Sequence, residues 1–274
     1  MALMHGFRLS IVIPAYNEAK RIWSSLDTIR RAMHGSRFDW DVRVVDDGSR
    51  DETAAIVERL ARVDRRVTLQ REPHRGKGGA VRAGMLAARG DLRFLCDADL
   101  SMPMRELSRF VDKTARECDV AIGSREGESA RRVGEPFYRH AMGRVFNAFV
   151  RNAVLPDVQD TQCGFKMFTA HAARSVFSAA TLDGWAFDIE ALVIARSQGW
   201  RICEVPIEWH YGADSRVRPF RDSYRMLRDL WTISAKSRGG AYRAPASAAS
   251  WASAAEEYAT RARRARRGRS SASR

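Results

Sequence analysis

The stretch Leu9-Ser-Ile-Val-Ile-Pro-Ala-Tyr-Asn-Glu18 indicates how the chain folds, because a short apolar run ends abruptly on polar residues. Leu9 to Pro14 is rich in β-branched residues and predicts a buried strand. Between Ile22 and Met33 the apolar positions repeat at helical spacing. A buried strand followed by an amphipathic helix begins a βαβ unit, so the sequence predicts an α/β fold.

The alternation of strand and helix patterns continues to Arg125. Further strands are predicted at 42–46, 67–69, 92–96 and 119–123. We therefore expect a mainly parallel, Rossmann-like sheet flanked by helices. The less regular second half predicts helices at 138–155 and near 187–198 and a strand at 201–209, which we interpret as a C-terminal, acceptor-side extension of the same domain.

The length of 274 residues favours one large domain, which we place at residues 1–238. Residues 239–274 are rich in Ala, Ser and Arg, a composition that predicts a disordered basic tail. The formal net charge of +14 indicates an anionic partner, which leaves open a nucleic acid, an anionic membrane surface or a phosphorylated substrate.

The cysteines have no close pair, so we expect reduced thiols in a cytoplasmic protein; they are Cys96, Cys118, Cys163 and Cys203. The first residues show no signal-peptide pattern. The apolar segment 141–155 is interrupted by Arg144, Asn147 and Arg151, and it is too short to span a bilayer. Any membrane contact is therefore expected at the surface.

Polar residues follow the predicted strands where each one ends. They are Tyr16 to Glu18, Asp46 and Asp47, Asp97 and Asp99, and Arg125. Because the carboxyl ends of parallel strands open into one crevice, these groups predict a shared pocket. If the chain stays extended, Asp97 and Asp99 point to the same side and can hold Mg²⁺ or Mn²⁺ against a phosphate. An isolated Asp-x-Asp is as typical of a plain turn, and only its position after a buried strand favours the metal.

Two neighbouring segments fit an anionic ligand, although each is individually ambiguous. In Asp46-Asp47-Gly-Ser49, Ser49 is a candidate helix cap, and Asp47 can accept hydrogen bonds from a base or a ribose. Tyr16 is placed to stack on a base. Arg75-Gly-Lys77-Gly-Gly79 is similar to a phosphate cradle, but it lacks the P-loop pattern and fits a plain turn equally well.

Taken together and in order, the motifs resemble glycosyltransferase family 2. They are Ser10-Ile-Val-Ile-Pro-Ala-Tyr-Asn-Glu18, Val44-Val-Asp-Asp-Gly-Ser49, Gly76-Lys-Gly-Gly-Ala-Val-Arg-Ala-Gly84, Asp97-Ala-Asp99 and Gly123-Ser-Arg125. Three later motifs are similar to the dolichyl-phosphate β-glucosyltransferase and polyprenyl-phosphate glycosyltransferase branch: Asp160-Thr-Gln-Cys-Gly-Phe-Lys166, Trp185-Ala-Phe-Asp-Ile-Glu190 and Glu204-Val-Pro-Ile-Glu-Trp209. The resemblance covers about residues 8–235.

This resemblance implies a GT-A fold, a nucleotide-diphosphate sugar donor and an inverting single displacement. The nucleoside contacts it implies are Pro14, Tyr16, Glu18, Val45 and Asp47; the diphosphate and metal contacts are Lys77, Asp97, Ala98 and Asp99; and Arg125 and Arg216 are implied to hold phosphate. Ser101 stands where related enzymes often carry a metal-binding Gln, which leaves the third protein ligand open.

The acceptor that the resemblance implies is a polyprenyl or dolichyl monophosphate. Its second pKa of about 6 makes it a dianionic nucleophile near neutral pH, so positioning and charge stabilisation suffice. We therefore expect Arg125, Arg131, Arg132 and Arg216 to hold phosphates. Asp188 or Glu190 is expected to orient the sugar, or to act as a base only if the acceptor is a hydroxyl.

A lipid acceptor also gives the basic surface a purpose. The predicted helix at 138–155 places Phe146, Phe149, Val150 and Ala153 along an apolar stripe with arginines between them, as in an interfacial helix, although a core helix fits nearly as well. We expect a cell-envelope enzyme at the cytoplasmic membrane face that uses UDP-glucose in preference to other UDP-hexoses. The alternatives are a family member that glycosylates a saccharide or protein hydroxyl, and a basic nucleic-acid-binding protein, although we expect no nucleic-acid partner.

Overall fold

The computed structural model describes residues 7–36, 38–212 and 219–243. Its strands are β1 (Arg8–Ala15), β2 (Asp39–Asp46), β3 (Val67–Arg71), β4 (Leu92–Leu95), β5 (Val120–Ser124), β6 (Arg131–Val133), β7 (Lys166–Thr169), β8 (Ile202–Pro206) and β9 (Glu208–His210). Its α-helices are α1 (Ile22–Met33), α2 (Thr53–Val63), α3 (Lys77–Ala87), α4 (Leu107–Arg116), α5 (Phe137–Ala153), α6 (Ala170–Ala179), α7 (Phe187–Ser197) and α8 (Pro219–Arg238).

Most of the strands form one sheet in the order β3-β2-β1-β4-β7-β5-β8. Every neighbouring pair in it is parallel except the two that involve β7, which runs antiparallel between β4 and β5. The predicted α/β sheet is confirmed. The sequence did not predict a strand inserted against the direction of its neighbours.

Side chains alternate between the two faces of the sheet, and helices cover both faces. On β1, Ile11 and Ile13 pack with α1, α2 and α4, whereas Val12 packs with α3, α6 and α7. This burial on both faces explains why the strands are nearly continuous apolar runs. β1, β2 and β4 are parallel neighbours, so the residues that follow them lie at one edge of the sheet.

The strand expected at 201–209 is two strands. β8 pairs with β5 in the main sheet, and β9 pairs with β6 in a separate two-stranded sheet. The change of sheet occurs at Ile207, directly after Pro206, which has no N–H to continue a ladder. Ile207 itself is fully buried, and its N–H donates to the Ser124 carbonyl.

The expectation of four reduced thiols is wrong for two of them. Cys118 and Cys203 form a disulfide, whereas Cys96 and Cys163 are free and buried. The pairing arises because β5 and β8 are adjacent, which brings the two Cα atoms to 6.0 Å. Their separation of 85 residues hides this proximity in the sequence.

The end of the described chain belongs to the packed structure. Tyr242 is 2% exposed and packs with residues of α7 and α8, beyond the domain boundary expected at 238. The rest of the expected tail, 244–274, lies outside the described residues. Among the helices of the described ranges, none combines the length and the apolar character that crossing a membrane requires.

Candidate active site

The loop after β4 carries the Asp-x-Asp pair. Asp97 is partly buried and Asp99 is exposed. The Ser101 N–H donates to Asp99 Oδ1 at 3.1 Å, and the left-handed conformation of Leu100 (φ 48°) turns the chain back. Ala98 is buried, and its carbonyl accepts a hydrogen bond from the Ser25 hydroxyl of α1. The loop is therefore fixed to the body of the protein while Asp99 faces solvent.

Lys77, the first residue of α3, forms an ion pair with Asp97, with Nζ 2.7 Å from Oδ1. Burial lowers the pKa of Lys77, but the neighbouring carboxylates, Asp97 foremost, outweigh it, so the pKa lies above its usual value. Burial raises the pKa of Asp97, and the attraction of Lys77 only partly offsets this. The site thus holds a charged lysine against a carboxylate that is poorly solvated.

The opposite side of Asp97 is closed by the loop before β7. A Cβ built on Gly164 would lie 2.0 Å from Asp97 Oδ2, so only glycine allows this approach. In the same segment, Lys166 is fully buried and its Nζ lies 2.6 Å from Asp188 Oδ1, at the start of α7. Asp188 therefore already serves as the counter-ion of a buried lysine.

The donor atoms around Asp97 fit a divalent cation. Asp97 Oδ1 is buried, and the only described group that donates to it is the Lys77 ammonium. Two carboxylates and a bound diphosphate give the all-oxygen ligand set that Mg²⁺ and Mn²⁺ prefer. Within the described ranges there is no group of three or more His, Cys, Asp or Glu side chains suited to a metal. The expected third ligand, Ser101, is 8% exposed and lies in the same loop.

Asp47 supports the glycine-rich turn before α3. It is 3% exposed, and its carboxylate accepts hydrogen bonds from the N–H groups of Arg75 (2.9 Å) and Gly76 (3.0 Å) and contacts His74 Nδ1 at 2.8 Å. Three internal partners occupy the oxygens that were expected to meet a base or ribose. The geometry therefore gives Asp47 the task of shaping the turn.

The glycines of this turn allow it to pack against another loop. A Cβ on Gly78 would lie 2.4 Å from the Leu182 carbonyl oxygen, and one on Gly76 would lie 2.5 Å from the Asp183 carbonyl oxygen. Gly76 also has a positive φ of 121°. The Gly78 N–H donates to the Asp183 carbonyl at 2.8 Å, and the turn places the N-terminus of α3, where the helix dipole attracts anions, beside Lys77.

The residues expected around a nucleoside separate into two groups. Pro14 and Val45 are buried partners in the β1–β2 register, and the side chain of Val45 packs against Gly84 of α3. Tyr16 and Glu18 remain accessible in part. Tyr16 stacks on His74 with ring centroids 4.2 Å apart, and Glu18 pairs with Arg21 at 2.8 Å. His74, with its side chain 54% exposed, was not singled out from the sequence.

Arg125 follows β5 and is held by Asp160. Its Nε and Nη2 donate to the two oxygens of this fully buried carboxylate at 2.7 and 2.8 Å. Burial raises the pKa of Asp160, but the charge and hydrogen bonds of Arg125 outweigh it and lower that pKa to about 2. The guanidinium also lies over the Trp209 ring, 5.3 Å from its centroid. Glu204 accepts the N–H of Asp160 at 3.1 Å, which fixes the pair in turn.

The structure describes two of the three other arginines that were expected to hold phosphate. Arg132 pairs with Glu126 and Glu135, whereas Arg131 lies exposed on β6. Arg216 lies outside the described residues.

Glu190 has no access to a ligand. It is 0% exposed, and its carboxylate accepts hydrogen bonds from the N–H groups of Thr181 and Leu182, from the Thr181 hydroxyl and from the Tyr242 hydroxyl. Its expected role as a base or sugar ligand does not fit this position. Glu190 instead anchors the 181–183 loop on which the glycine-rich turn rests.

Several site residues had no assigned role from the sequence, namely Gly164, Asp160, Lys166, Glu204 and Tyr242. The first three lie in the motif Asp160-Thr-Gln-Cys-Gly-Phe-Lys166, so their signal was present without an indication of what they contact. The glycine in this motif, Gly164, indicates a place where the backbone packs closely against another group. No sequence signal identifies Tyr242.

Comparisons with known proteins show to which family the chain belongs. Residues 10–177 match the sequence model described as Glycosyl transferase family 2. The dolichyl-phosphate beta-glucosyltransferase ALG5C of Trichomonas vaginalis is 37% identical over 243 residues, which cover 84% of this chain and 72% of that protein. The dolichyl-phosphate beta-glucosyltransferase of Homo sapiens is 30% identical over 251 residues, which cover 86% of this chain and 78% of that protein.

Among solved structures, the glucosyl-3-phosphoglycerate synthase of Mycobacterium tuberculosis in complex with Mn²⁺ and UDP-glucose has a TM-score of 0.61. It is 19% identical in sequence and the match covers 85% of this chain and 80% of that one, which shows a shared fold. The α/β architecture with its mostly parallel sheet is thus the expected GT-A fold. On the family match and on relatives at 30% identity or more, the chain is a glycosyltransferase and belongs to glycosyltransferase family 2.

Proposed function

We propose that this enzyme transfers a hexose, with glucose favoured, from a UDP-sugar to a polyprenyl or dolichyl monophosphate with inversion at the sugar, assisted by Mg²⁺ or Mn²⁺. The observation that carries the proposal is the pairing of Asp97 with Lys77 at the N-terminus of α3, beside exposed Asp99. Relatives named for dolichyl-phosphate glucosyl transfer support the acceptor. The complex of a structural neighbour with Mn²⁺ and UDP-glucose supports the donor and the metal.

The donor diphosphate fits between the loop after β4 and the start of α3. Asp97 and Asp99 would hold the metal, which when bound neutralises charge on the departing diphosphate. The positive end of the α3 dipole and the Lys77 ammonium can stabilise the same charge from the other side. Tyr16 and His74, stacked at the edge of the site, offer an aromatic surface to a nucleobase.

The reaction needs no protein base when the acceptor is a phosphate. An oxygen of the acceptor dianion attacks C1 of the sugar, the new C1–O bond forms, and the bond from C1 to the diphosphate oxygen breaks with UDP as leaving group. The two carboxylates considered as bases are engaged. Asp188 pairs with Lys166, and Glu190 accepts hydrogen bonds from the 181–182 segment and Tyr242. This favours a phosphate acceptor over a hydroxyl acceptor.

A transfer assay tests the proposal directly. Purified protein is incubated with Mn²⁺ or Mg²⁺, a panel of UDP- and GDP-sugars and a polyprenyl phosphate, and organic-phase label is measured. We expect transfer from UDP-glucose that EDTA abolishes, and a loss of at least about 100-fold in Asp99→Asn. The matched control Asp157→Asn removes a carboxylate that is 77% exposed and pairs with Arg196, so it should keep activity.

Two outcomes would contradict the proposal in different ways. UDP binding without transfer from any donor to the lipid would reject the lipid acceptor. Transfer that persists undiminished in EDTA would reject the metal.

The hydroxyl-acceptor alternative makes a separate prediction about Asp188. If Asp188 were a base, Asp188→Asn would abolish the pH dependence of kcat along with most of the activity. If it is the counter-ion of Lys166, the variant should lose thermal stability and retain the pH profile, because the loss leaves a buried ammonium unpaired. A pH–rate profile measured beside a melting curve separates the two.

We further propose that the enzyme docks on an anionic membrane surface through α5. The predicted stripe of Phe146, Phe149, Val150 and Ala153 does not match the structure, because Val150 is fully buried and Phe146 packs against the core. The exposed residues, which we call the α5 face, are Phe137, Tyr138, Met142, Val145 and Phe149. The last four are spaced as one side of a helix.

Charge supports a lipid partner for the α5 face. The helix contains arginines and no acidic residue. Helix α8, which contacts α5, exposes a further aromatic residue, Trp231, at 81%. Exposed aromatic and aliphatic side chains among arginines are typical of helices that lie in the headgroup region.

Flotation with vesicles of phosphatidylcholine and phosphatidylglycerol tests this docking. Val145→Asp should reduce vesicle binding at least roughly fivefold, since it adds a negative charge to the α5 face. Val63→Asp makes the same change outside the α5 face, at a residue that is 78% exposed at the end of α2, so it is the matched control and should bind normally. Equal binding by the two variants would rule out the α5 face as the docking surface.

A further inference from the structure

Lys77 occupies the place where the proposed metal would act. Its ammonium is 2.7 Å from Asp97 Oδ1, a buried oxygen to which no other described residue donates a hydrogen bond. Trp185 and Phe187 lie beside it, with ring centroids 5.6 and 5.8 Å from Nζ. The lysine therefore has a defined position with an anion on one side and aromatic rings near it.

The location of Lys77 in its helix is unfavourable without an anion. It is the first residue of α3, where the helix dipole disfavours a positive charge, and the first turn of α3 has no acidic residue. Asp97 supplies the missing negative charge. A diphosphate bound at this helix end would supply more negative charge. The Lys77 ammonium could then exchange its ion-pair partner, from the Asp97 carboxylate to the phosphate.

We infer that Lys77 is the internal counter-ion of Asp97 in the donor-free enzyme. When a cation and the nucleotide bind together, the Lys77 ammonium moves away from Asp97. This inference rests on the function proposed above. A cation that arrives alone must compete with the ammonium for Asp97. A cation that arrives with a diphosphate brings the anion that accepts the lysine, whose four-carbon chain allows the movement. Cation and nucleotide should therefore bind with strong positive coupling, and Lys77 is the residue that creates it.

Mn²⁺ titration with and without UDP, followed by the electron paramagnetic resonance of free Mn²⁺, measures this coupling without a turnover assay. In Lys77→Gln, Mn²⁺ alone should bind roughly tenfold more tightly than in the wild type, and the enhancement by UDP should fall by a similar factor. Lys77→Arg keeps the charge and should keep the weak binding of Mn²⁺ alone. Lys113→Gln makes the same chemical change on α4, where the ammonium pairs with exposed Glu117, so it should change neither quantity more than about twofold.

The outcomes separate this inference from the function on which it rests. If wild-type protein binds Mn²⁺ in the presence of UDP and Lys77→Gln binds Mn²⁺ alone no better than wild type, the counter-ion role is overturned and the metal site stands. If the wild type binds no Mn²⁺ even with UDP, both are overturned. A melting curve for each variant confirms that the titrated protein is folded, and Lys77→Met is a second neutral variant.

Discussion

The glycine-rich turn before α3 and the helix α5 differ in whether their polar and apolar groups have contacts within the protein. In the turn, backbone N–H groups, carboxylates and carbonyls meet partners at contact distance, and glycines are needed to let them approach. Along the N-terminal half of α5, large apolar side chains face solvent, and a Cβ on Gly143 would have no neighbour within 4 Å. The contrast is the one we expect if the turn binds the proposed nucleotide diphosphate and α5 lies on the proposed membrane surface.

Gly164→Ala should have the largest effect, because Gly164 packs directly against Asp97. The new Cβ would lie 2.0 Å from Asp97 Oδ2, so the carboxylate must move, and a displacement of about 1 Å can cost roughly 100-fold in rate. Transfer activity and Mn²⁺·UDP binding measure the loss. Gly143→Ala makes the same chemical change in open space on α5 and should preserve Mn²⁺·UDP binding. Near-normal activity in Gly164→Ala would show that Asp97 tolerates displacement.

Two valines on α5 sharpen the contrast within one helix. Val150 is 0% exposed and Val145 is 59% exposed. An aspartate at Val150 would be a buried charge without a partner, so Val150→Asp should lower the free energy of unfolding by about 4 kcal/mol or more. Val145→Asp should change it by less than about 0.5 kcal/mol. Urea denaturation checks both, and comparable losses would mean that the α5 face is packed after all.

The buried Asp160–Arg125 pair should make the free energy of unfolding depend on pH. The pKa of Asp160 is lowered to about 2, so the stabilisation is present above its ordinary value near 4 and is lost as the pH falls towards 2. The loss should be on the order of 2 kcal/mol. Unfolding free energies measured across this range should lose this component in Asp160→Asn and keep it in Asp157→Asn. An unchanged slope in Asp160→Asn would contradict the assignment.

A pair of tyrosines tests the smallest effect. The Tyr242 hydroxyl donates to buried Glu190 at 2.9 Å, whereas Tyr138 on α5 is 60% exposed. Tyr242→Phe should cost about 1 kcal/mol of stability through the lost hydrogen bond, and Tyr138→Phe should cost nothing measurable. If thermal unfolding shows the two variants to be equally stable, the hydrogen bond from Tyr242 to Glu190 does not stabilise the 181–183 loop.

The sequence predicted the architecture well because strand and helix periods are local properties. The ends of β1, β2 and β4 bring Tyr16, Asp47 and Asp97 to one edge, as the parallel sheet predicts. What each side chain contacts depends on loops that are distant in sequence. Asp47 supports a turn almost 30 residues later, and Glu190 accepts a hydrogen bond from Tyr242, and neither contact could be predicted from position alone.

The disulfide and the α5 face were missed for the same reason. Cys118 and Cys203 become neighbours only because β5 and β8 pair, which no spacing rule reveals. On α5, the sequence shows apolar residues on several sides of the helix, and only the position of the protein body decides that Val150 points inward and Val145 outward.

The position of β7 has a consequence for how the protein forms. This strand sits between β4 and β5, yet it is made after both during synthesis. The growing chain therefore cannot close its sheet in order, and β4 exposes an unpaired edge until the 166–169 segment emerges. Residues 164–169 also bring Gly164 against Asp97, so we expect the surroundings of Asp97 to form only after this segment has emerged and β7 has paired with β4.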